Sequence, residues 1–264
     1  LLVEDSMPVS VFFNIQSMLS HHIQFERLSH VTSKLRIVKN EYEIACLQRA
    51  AEIVDRVFSK IVDEGLEGRS EKELSARLQY LIKSYGADDV AFEPIVASGP
   101  NGANPHHTPG DRVIQKGDMV ILDFGAKYKG YCSDITRTVA IGDVSDEAKL
   151  VYQVVKESQE VGLKSIRAGI KTGDIDLSVR NNIAAHGFGN LFIHRTGHGL
   201  GLDIHEEPYI APNGESIIED GMIFTVEPGI YLPGKFGVRI EDDVVVMESA
   251  GRSLTSSEKE LIYL

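Results

Sequence analysis

The sequence contains few cysteines and no long apolar segment, and each shortage excludes a class of protein. Its two cysteines, Cys46 and Cys132, form no CxxC pair and are too few for a disulfide framework. A reducing, cytoplasmic environment is therefore expected. No apolar run reaches the roughly 18 residues that a membrane helix needs, and no signal-peptide pattern is visible. The sequence therefore predicts no membrane partner.

Positive charge is also scarce. The 264 residues include 27 lysines and arginines against 39 aspartates and glutamates, so the formal net charge is −12. A general nucleic-acid-binding protein would have a basic surface instead, and no nucleic-acid partner is expected. The acidic excess either favours solubility or is partly concentrated in a site for cations. A hydrophobic content of 42% suffices for one large core or two modest domains.

Apolar periodicity and capping residues predict two pairs of helices. The predicted spans are residues 40–65, 70–86, 145–168, and from Thr172 or Asp174 to Gly187. A short helix is expected over residues 8–19, and a short strand over Leu191-Phe192-Ile193. The histidines at positions 21, 22 and 30 are irregularly spaced and have no matching acids. These three are expected to be exposed to solvent.

Two similar stretches follow the two helix pairs, and each predicts a β-hairpin with two acids. The first has an apolar run from Met119, then Asp123, a polar turn and Asp134. The second has an apolar run from Met222, then Glu227, a loop and Glu241. Each hairpin follows two helices and a histidine-bearing loop, which indicates one structural unit used twice. A pseudo-twofold arrangement would bring both acid pairs to one centre.

Four carboxylates in one centre repel each other and stay ionised only if cations lie between them. Two divalent cations would balance their charge, and one imidazole would favour a transition metal over magnesium or calcium. The candidates are His194, His198 and His205, of which His198 lies between glycines that permit close approach. His106 and His107 lie in a loop rich in glycine, proline and asparagine, which is either part of a site or a surface turn.

The stretch from His194 to Glu206, HRTGHGLGLDIHE, resembles the signature of the proline-specific branch of the M24 metallopeptidases. This branch comprises Xaa-Pro aminopeptidases and Xaa-Pro dipeptidases (prolidases). The resemblance runs from Leu35 to the C-terminus, and besides the first hairpin it includes Ser98-Gly99-Pro100-Asn101, Pro105-His106, Glu227-Pro228-Gly229-Ile230-Tyr231 and Arg239-Ile240-Glu241-Asp242. It implies an α+β "pita-bread" fold, in which a curved, mainly antiparallel sheet is backed by helices and has an internal pseudo-twofold repeat.

The resemblance also implies a dinuclear metal centre. The family's ligand types match Asp123, Asp134, His198, Glu227 and Glu241. Asp134 and Glu241 would bridge the two metals. Asp123 would chelate one metal, and His198 with Glu227 would complete the other. Manganese is the expected divalent ion, with cobalt and zinc as alternatives.

Further residues match catalytic and substrate-binding positions of the family. The proton-handling and oxyanion-side histidines correspond to His106 and His205. The resemblance implies that Glu227 would act as catalytic acid–base as well as ligand. The positions that line the substrate pocket correspond to His194, Tyr231 and Arg239. No role is assigned to His107, which stands where relatives often carry tyrosine.

The implied reaction is hydrolysis of the bond between an N-terminal residue and a following proline, in a dipeptide or an oligopeptide. The cations would supply a water that is deprotonated near neutral pH for attack on the carbonyl carbon. Glu227 would accept and pass on the proton, and His205 would stabilise the oxyanion. His106 would assist proton transfer to the leaving nitrogen. Arg239 either pairs with a carboxylate or orients Glu241.

Several alternatives remain open at this point. Methionine aminopeptidases share the fold and the ligands but differ in the histidine loop and the final acid motif. Creatinase-like members work without metals, and non-catalytic peptide-binding modules have typically lost ligands that this chain retains. The choice between dipeptidase and aminopeptidase depends on what blocks the pocket beyond the proline.

The N-terminal region is expected to be incomplete. Proline-specific relatives usually carry an N-terminal domain that contributes to oligomerisation, so a homodimer is expected for the full-length protein. Residues 1–35 are interpreted as a remnant of such a domain or a linker, and residues 36–264 as the catalytic domain. Because the chain begins at Leu1, it is expected to be a fragment.

Overall fold

The computed structural model describes residues 1–19 and 22–264. Over these residues the α-helices are α1 (Val9–Met18), α2 (Ser29–Arg36), α3 (Glu41–Glu64), α4 (Glu71–Ser84), α5 (Asp146–Ser165) and α6 (Thr172–Ala185). The strands are β1 (Leu2–Val3), β2 (Glu26–Arg27), β3 (Asp89–Val90), β4 (Ile95–Ser98), β5 (Met119–Phe124), β6 (Ala126–Tyr128), β7 (Tyr131–Cys132), β8 (Ile135–Ala140), β9 (Gly197–Gly199), β10 (Glu206–Ile210), β11 (Ile223–Val226), β12 (Gly229–Leu232), β13 (Phe236–Arg239), β14 (Asp242–Met247) and β15 (Ala250–Ser253).

The four long helices begin and end close to the predicted positions because their caps are local. At the start of α3, the Asn40 side chain accepts from Glu43 N at 3.1 Å, and Glu43 Oε2 accepts from Asn40 N at 2.8 Å. Ser70 and Glu73 form the same reciprocal box at α4. Gly65 follows α3 with a φ of 73°, a left-handed conformation that favours glycine. The predicted helices 40–65 and 70–86 are confirmed.

The second helix pair is also present, but the predicted N-cap of α6 and the predicted strand after it differ from the structure. Ser145 caps α5, whereas α6 begins after Lys171, whose N–H donates to Asp174 at 3.2 Å. The strand predicted from Leu191 to Ile193 is wrong. A 3-10 turn occupies Gly189–Leu191 instead, and only Phe192 of this apolar run is buried in the core, whereas Ile193 is 62% exposed.

The N-terminal residues form a small separate arrangement. Strands β1 and β2 pair in parallel, and α1 confirms the helix expected over residues 8–19. No residue of α1 is buried. His22 and His30 are exposed as expected, whereas His21 lies outside the described residues. Within residues 1–19 and 22–264, no helix is both long and apolar enough to cross a bilayer.

The two hairpins have equivalent topology. In the first, β5 pairs antiparallel with β4 on one side and with β8 on the other. In the second, β11 pairs antiparallel with β9 and β14. Each hairpin then continues into a shorter antiparallel pair, β6 with β7 and β12 with β13. The predicted unit of two helices and a hairpin is therefore present twice.

Helices cover these sheets and bury the core between the layers. The apolar sides of α3 and α4 pack with Val120, Leu122 and Phe124 of β5. The equivalent helices α5 and α6 pack with β12 and β13 through residues such as Ile230 and Val238. Because strand side chains alternate between faces, Asp123 lies opposite Leu122 and Phe124. Burial of β5 against its helices therefore directs Asp123 away from them.

Candidate metal centre

A cavity of about 430 Å³ lies where the two hairpins meet. Nine of the ten predicted site residues line it, namely His106, Asp123, Asp134, His194, His198, His205, Glu227, Arg239 and Glu241. The tenth, Tyr231, is buried, and its hydroxyl lies 2.8 Å from both His194 Nε2 and Arg239 Nη1. Residues separated by more than a hundred positions are thus brought to one place.

The four predicted acidic ligands lie at the joints of the hairpins. Asp123 is near the end of β5, and Asp134 lies between β7 and β8. Glu227 separates β11 from β12, and Glu241 separates β13 from β14. An antiparallel bridge between Thr136 and Glu241 joins the hairpins, with Glu241 N donating to Thr136 O at 3.1 Å. The second hairpin therefore folds back against the first.

The donor atoms fit a metal ion. One carboxylate oxygen of Asp134, one of Glu241 and a ring nitrogen of His198 all lie within 4.8 Å of one another. Asp123 Oδ1 and Asp134 Oδ1 are buried and have no hydrogen-bond partner. A buried carboxylate oxygen without a partner is costly. Cations at this centre would supply the missing interaction.

The carboxylates of the centre are electrostatically strained without cations. Burial, and then the charges of Glu241 and Asp123, hold the pKa of Asp134 well above its usual value. Burial, and then the charge of Glu227, do the same to the pKa of Glu241. Burial raises the pKa of Glu227 to about 7. The four acids are therefore stable in the ionised form only if positive charge joins them.

His198 is held in the form that binds metals. Burial, and then His205, lower its pKa to about 3, so the ring is neutral. Its Nδ1 lies 3.1 Å from the Gly199 carbonyl oxygen, which requires Nδ1 to carry the proton. The unprotonated Nε2 then faces Glu227 Oε1 at 3.5 Å and Asp134 Oδ2 at 3.7 Å. This arrangement presents a free nitrogen lone pair beside the acids.

Glycines on both sides of His198 allow β9 to lie between its neighbouring strands. A Cβ on Gly197 would lie 1.8 Å from Thr225 O, and one on Gly199 would lie 2.4 Å from Glu207 O. Neither distance is possible for a side chain. The glycine-flanked histidine of the sequence thus reflects close backbone packing on both sides of the imidazole.

Arg239 links the acids of the two hairpins, one by direct contact and one through a threonine. Its Nη2 donates to Asp123 Oδ2, and its Nε donates to the Thr136 hydroxyl at 3.1 Å. That hydroxyl in turn donates to Glu241 Oε2 at 2.6 Å. The arginine therefore pairs with one carboxylate directly and orients another through Thr136.

His194 and Tyr231 extend this network along the cavity. His194 Nδ1 lies 2.8 Å from the Arg195 carbonyl oxygen, so Nδ1 donates and Nε2 accepts from the Tyr231 hydroxyl. Burial, and then the charge of Arg239, lower the pKa of His194 to about 3. A neutral His194 is consistent with this chain of donors from Arg239 through Tyr231.

The loop that carries His205 is anchored through the next residue, Glu206. The side chain of Glu206 pairs with Lys39 Nζ at 2.9 Å and with Arg36 Nη2. The ring centroid of His205 lies 4.2 Å from that of His198. The loop that carries His205 is thus tied to the segment between α2 and α3.

Comparison with known proteins identifies the family. The profile of metallopeptidase family M24 matches residues 45–248. The chain belongs to family M24. A relative from Pyrococcus horikoshii, named Xaa-Pro dipeptidase, is 38% identical over 98% of this chain and 74% of its own length.

Solved structures agree in fold over nearly the whole chain. A recombinant prolidase from Thermococcus sibiricus superposes with a TM-score of 0.98 at 54% identity, over 100% of this chain and 72% of its own. An X-Pro aminopeptidase from Thermotoga maritima gives a TM-score of 0.90 at 40% identity, over 100% and 75% of the two chains. The pita-bread fold predicted from the resemblance is confirmed for this M24 chain.

Three polar residues at this site of the M24 chain were not predicted from the sequence. Thr136 orients Glu241, and the Thr225 hydroxyl accepts from His198 N at 3.1 Å and donates to Glu227 Oε1 at 3.2 Å. Asp243 Oδ2 accepts from Asp134 N at 2.9 Å. Each lies two residues from a predicted ligand. Residues two apart in an extended chain point to the same side, and this spacing is the signal that places them beside the predicted ligands.

The Thr136 hydroxyl is expected to matter for metal affinity in this M24 centre. A Thr136→Val change keeps the shape but removes the donor to Glu241 and the acceptor for Arg239. Changes of this kind typically reduce metal affinity or activity by about 10–100-fold. We expect a loss of that size when metal binding is measured by competition with a chelating dye.

Thr138→Val is the matched control for this change. The Thr138 hydroxyl donates to Arg239 O at 2.9 Å and accepts from Arg239 N at 3.1 Å. Within the described residues it makes no other hydrogen bond. It should alter stability without altering metal affinity. Equal metal affinity of Thr136→Val and wild type would contradict the assignment.

Proposed function

We propose that this chain is a metallopeptidase that hydrolyses the bond between an N-terminal residue and a following proline. The observation that carries the proposal is the buried group of Asp134, His198 and Glu241, with unpartnered carboxylate oxygens beside it. The specificity for proline is supported by the names of the relatives, Xaa-Pro dipeptidase and prolidase.

Two divalent cations fit the donor set, which has four carboxylates and one neutral imidazole. Asp123, Asp134, His198, Glu227 and Glu241 would hold them. When bound, the cations supply an activated water nucleophile and polarise the scissile carbonyl. Manganese is the proposed metal, because a carboxylate-rich site with a single nitrogen suits it. Cobalt and zinc are the alternatives that reconstitution distinguishes.

Proton transfer is proposed for Glu227 and His106. Glu227 lies inside the cavity, and its Oε1 is held by the Thr225 hydroxyl at 3.2 Å. It would accept the proton of the nucleophilic water and pass it on. His106 projects from the loop after β4 and lines the same cavity. It would hold the substrate and assist protonation of the leaving proline nitrogen.

Stabilisation of negative charge and substrate recognition are proposed for other residues. His205 would donate to the carbonyl oxygen as it becomes negative, and loss of one such donor typically costs about 10²–10³ in rate. His194 and Arg239, with Tyr231 behind them, would form the wall against the substrate. Proline has no N–H to donate, so the ring must be recognised by shape.

The test compares metal-free protein with protein reconstituted with one metal at a time. Bound metal is counted, and hydrolysis is measured on an Xaa-Pro dipeptide, an Xaa-Pro-Yaa tripeptide and an Xaa-Ala dipeptide. We expect two equivalents of metal, cleavage that a chelator abolishes, and a strong preference for proline over alanine. Absence of both metal binding and Xaa-Pro cleavage would contradict the proposal.

The same assay separates the neighbouring functions. Cleavage of the dipeptide alone assigns a dipeptidase, and cleavage of the tripeptide assigns an aminopeptidase. Removal of methionine from Met-Ala without any need for proline would assign the methionine aminopeptidase alternative. Peptide binding without cleavage would assign a non-catalytic module. The homodimer, the cytoplasmic setting and the division at residue 35 stay predictions.

A further inference from the structure

A buried carboxylate outside the metal centre organises the loop that carries His106. Glu71 is the first residue of α4, and its side chain is fully buried. Burial alone would raise its pKa, yet hydrogen bonds from Ser98, Asn101 and His107 bring the pKa below its usual value. Glu71 is therefore a charged group in the interior, and its hydrogen-bond donors must stabilise that charge.

The donors that contact this carboxylate come from one loop. Glu71 Oε1 accepts from Ser98 N at 2.8 Å, from Ser98 Oγ at 2.7 Å and from Asn101 Nδ2 at 3.0 Å. Glu71 Oε2 lies 2.8 Å from His107 Nε2 and accepts from Gly110 N at 3.2 Å. One side chain thus holds the beginning, the middle and the end of residues 98–110.

The same loop is fixed on its other side by the second hairpin. A Cβ on Gly102 would lie 2.9 Å from Gly237 N, and a Cβ on Gly237 would lie 2.0 Å from Gly102 O. The 3-10 turn Gly99–Ala103 is therefore in close backbone contact with β13, the strand that ends at Arg239. Residues 98–110 lie between α4 and the wall of the cavity.

His106 lies in this loop, lines the cavity and has a role in the proposed reaction. Its backbone N–H donates to Asn104 Oδ1 at 3.0 Å, and its side chain lines the cavity with Pro105. The next residue, His107, contacts Glu71 instead. The two adjacent imidazoles therefore have different tasks, one facing the substrate cavity and the other holding the loop.

We infer that Glu71, together with His107, is a positioning residue that sets the place of His106 in the cavity. This inference rests on the proposed function, because it assigns the reaction to the same site. Glu71 does not line the cavity and acts through residues 98–110. The charged carboxylate is required because it accepts from five donors at once, which no neutral side chain of this size can do.

The test is Glu71→Gln, measured as kcat/KM for an Xaa-Pro dipeptide on the metal-loaded protein. The glutamine keeps the shape, but its amide faces the N–H of Gly110 and no longer accepts from it. A small displacement of a substrate-positioning group costs up to about 100-fold. We expect kcat/KM to fall by about 10–100-fold while the amount of bound metal stays at two equivalents.

A double-mutant cycle with His106→Ala distinguishes positioning from a general structural effect. If Glu71 acts through His106, Glu71→Gln should cause little further loss in the His106→Ala background. If Glu71 only stabilises the fold, the loss should be the same in both backgrounds. Equal losses would overturn the inference, and so would a Glu71→Gln variant with wild-type kcat/KM.

Glu64→Gln is the matched control. Glu64 is the last residue of α3, and it pairs with Arg77 on α4 at 2.6 Å, with Arg69 and with Lys60. The chemical change is the same, but these partners lie outside residues 98–110. This variant should keep wild-type kcat/KM. If Glu71→Gln fails to fold, His107→Phe removes one contact of the loop and should give a smaller loss in the same direction.

A spectroscopic readout tests the inference independently of activity. The His106 ring resonance in a carbon-13 correlation spectrum, assigned by its absence in His106→Ala, should shift in Glu71→Gln and not in Glu64→Gln. An unshifted resonance would overturn the inference even if the protein is active. A shifted resonance in a protein that cleaves no Xaa-Pro peptide would support the positioning and refute the proposed function.

Discussion

Changing His198 to alanine is expected to remove both the bound metal and the hydrolysis of Xaa-Pro dipeptides. His198 is the proposed nitrogen ligand, and its Nε2 faces Asp134 and Glu227. Without it, only the four carboxylates would be left to hold the cations, and the preference for a transition metal would be lost. Loss of a single oxyanion donor typically lowers the rate by about 10²–10³-fold. We expect a larger fall in kcat/KM for His198→Ala.

The measurement combines metal analysis after dialysis with the peptidase assay. His186→Ala is the control, since His186 is an exposed residue at the end of α6 whose Nδ1 contacts Asn182 O. That variant should keep two equivalents of metal and full activity. A His198→Ala protein that retained both would refute the ligand assignment.

The position of the four acids was predictable from the sequence for a physical reason. Each acid lies within one residue of the end of a buried strand, where a charged side chain can find a partner. The two runs at Met119 and Met222 occur in equivalent units, so the folded hairpins bring Asp123, Asp134 and Glu241 together. The repeat, more than any single motif, predicts the centre.

Other features depended on contacts that a linear pattern does not contain. The apolar run at Leu191 predicts a strand, but a 3-10 turn forms there. Phe192 is buried in the core that α5 and α6 form with β12 and β13, whereas Ile193 is exposed. The sequence likewise did not predict that each hairpin continues into a shorter strand pair, β6 with β7 and β12 with β13. This continuation follows from how Glu227 and Glu241 interrupt the second hairpin.

The polar residues beside the predicted ligands could not be predicted from the sequence either. Thr136 and Thr225 are ordinary strand residues by sequence, and only the paired strands reveal that their hydroxyls reach Glu241 and Glu227. The role of Glu71 is equally hidden, because a glutamate in the first turn of a helix is usually an exposed partner of the helix dipole. Its burial comes from the loop that folds over it.

Arg137 occupies the junction between the hairpins and is expected to be essential for stability. It is 1% exposed, and its guanidinium pairs with Asp242 Oδ1 at 2.7 Å. It also donates to the carbonyl oxygens of Glu241 at 2.5 Å, Ser257 at 2.8 Å and Glu258 at 3.0 Å. One side chain therefore joins β8 of the first hairpin to β14 and to the C-terminal segment.

An Arg137→Met change is expected to lower the free energy of unfolding by about 3–5 kcal/mol, because it leaves a buried carboxylate with less compensating charge. Burial alone would raise the pKa of Asp242, and the charges of Arg137 and Lys259 hold it below its usual value. Chemical denaturation of the metal-loaded protein measures the change. Lys259, at 2.7 Å, remains as a partner, so the loss should be large but incomplete.

The matched control is Arg49→Met, which breaks the exposed pair between Arg49 and Glu52. Exposed pairs on a helix contribute about 0.3–0.5 kcal/mol, so this change should be close to neutral. Equal stability of the two variants would refute the role of Arg137. The Arg137 change should also weaken metal binding, because the same guanidinium fixes the backbone of Glu241 at the point where the two halves of the centre meet.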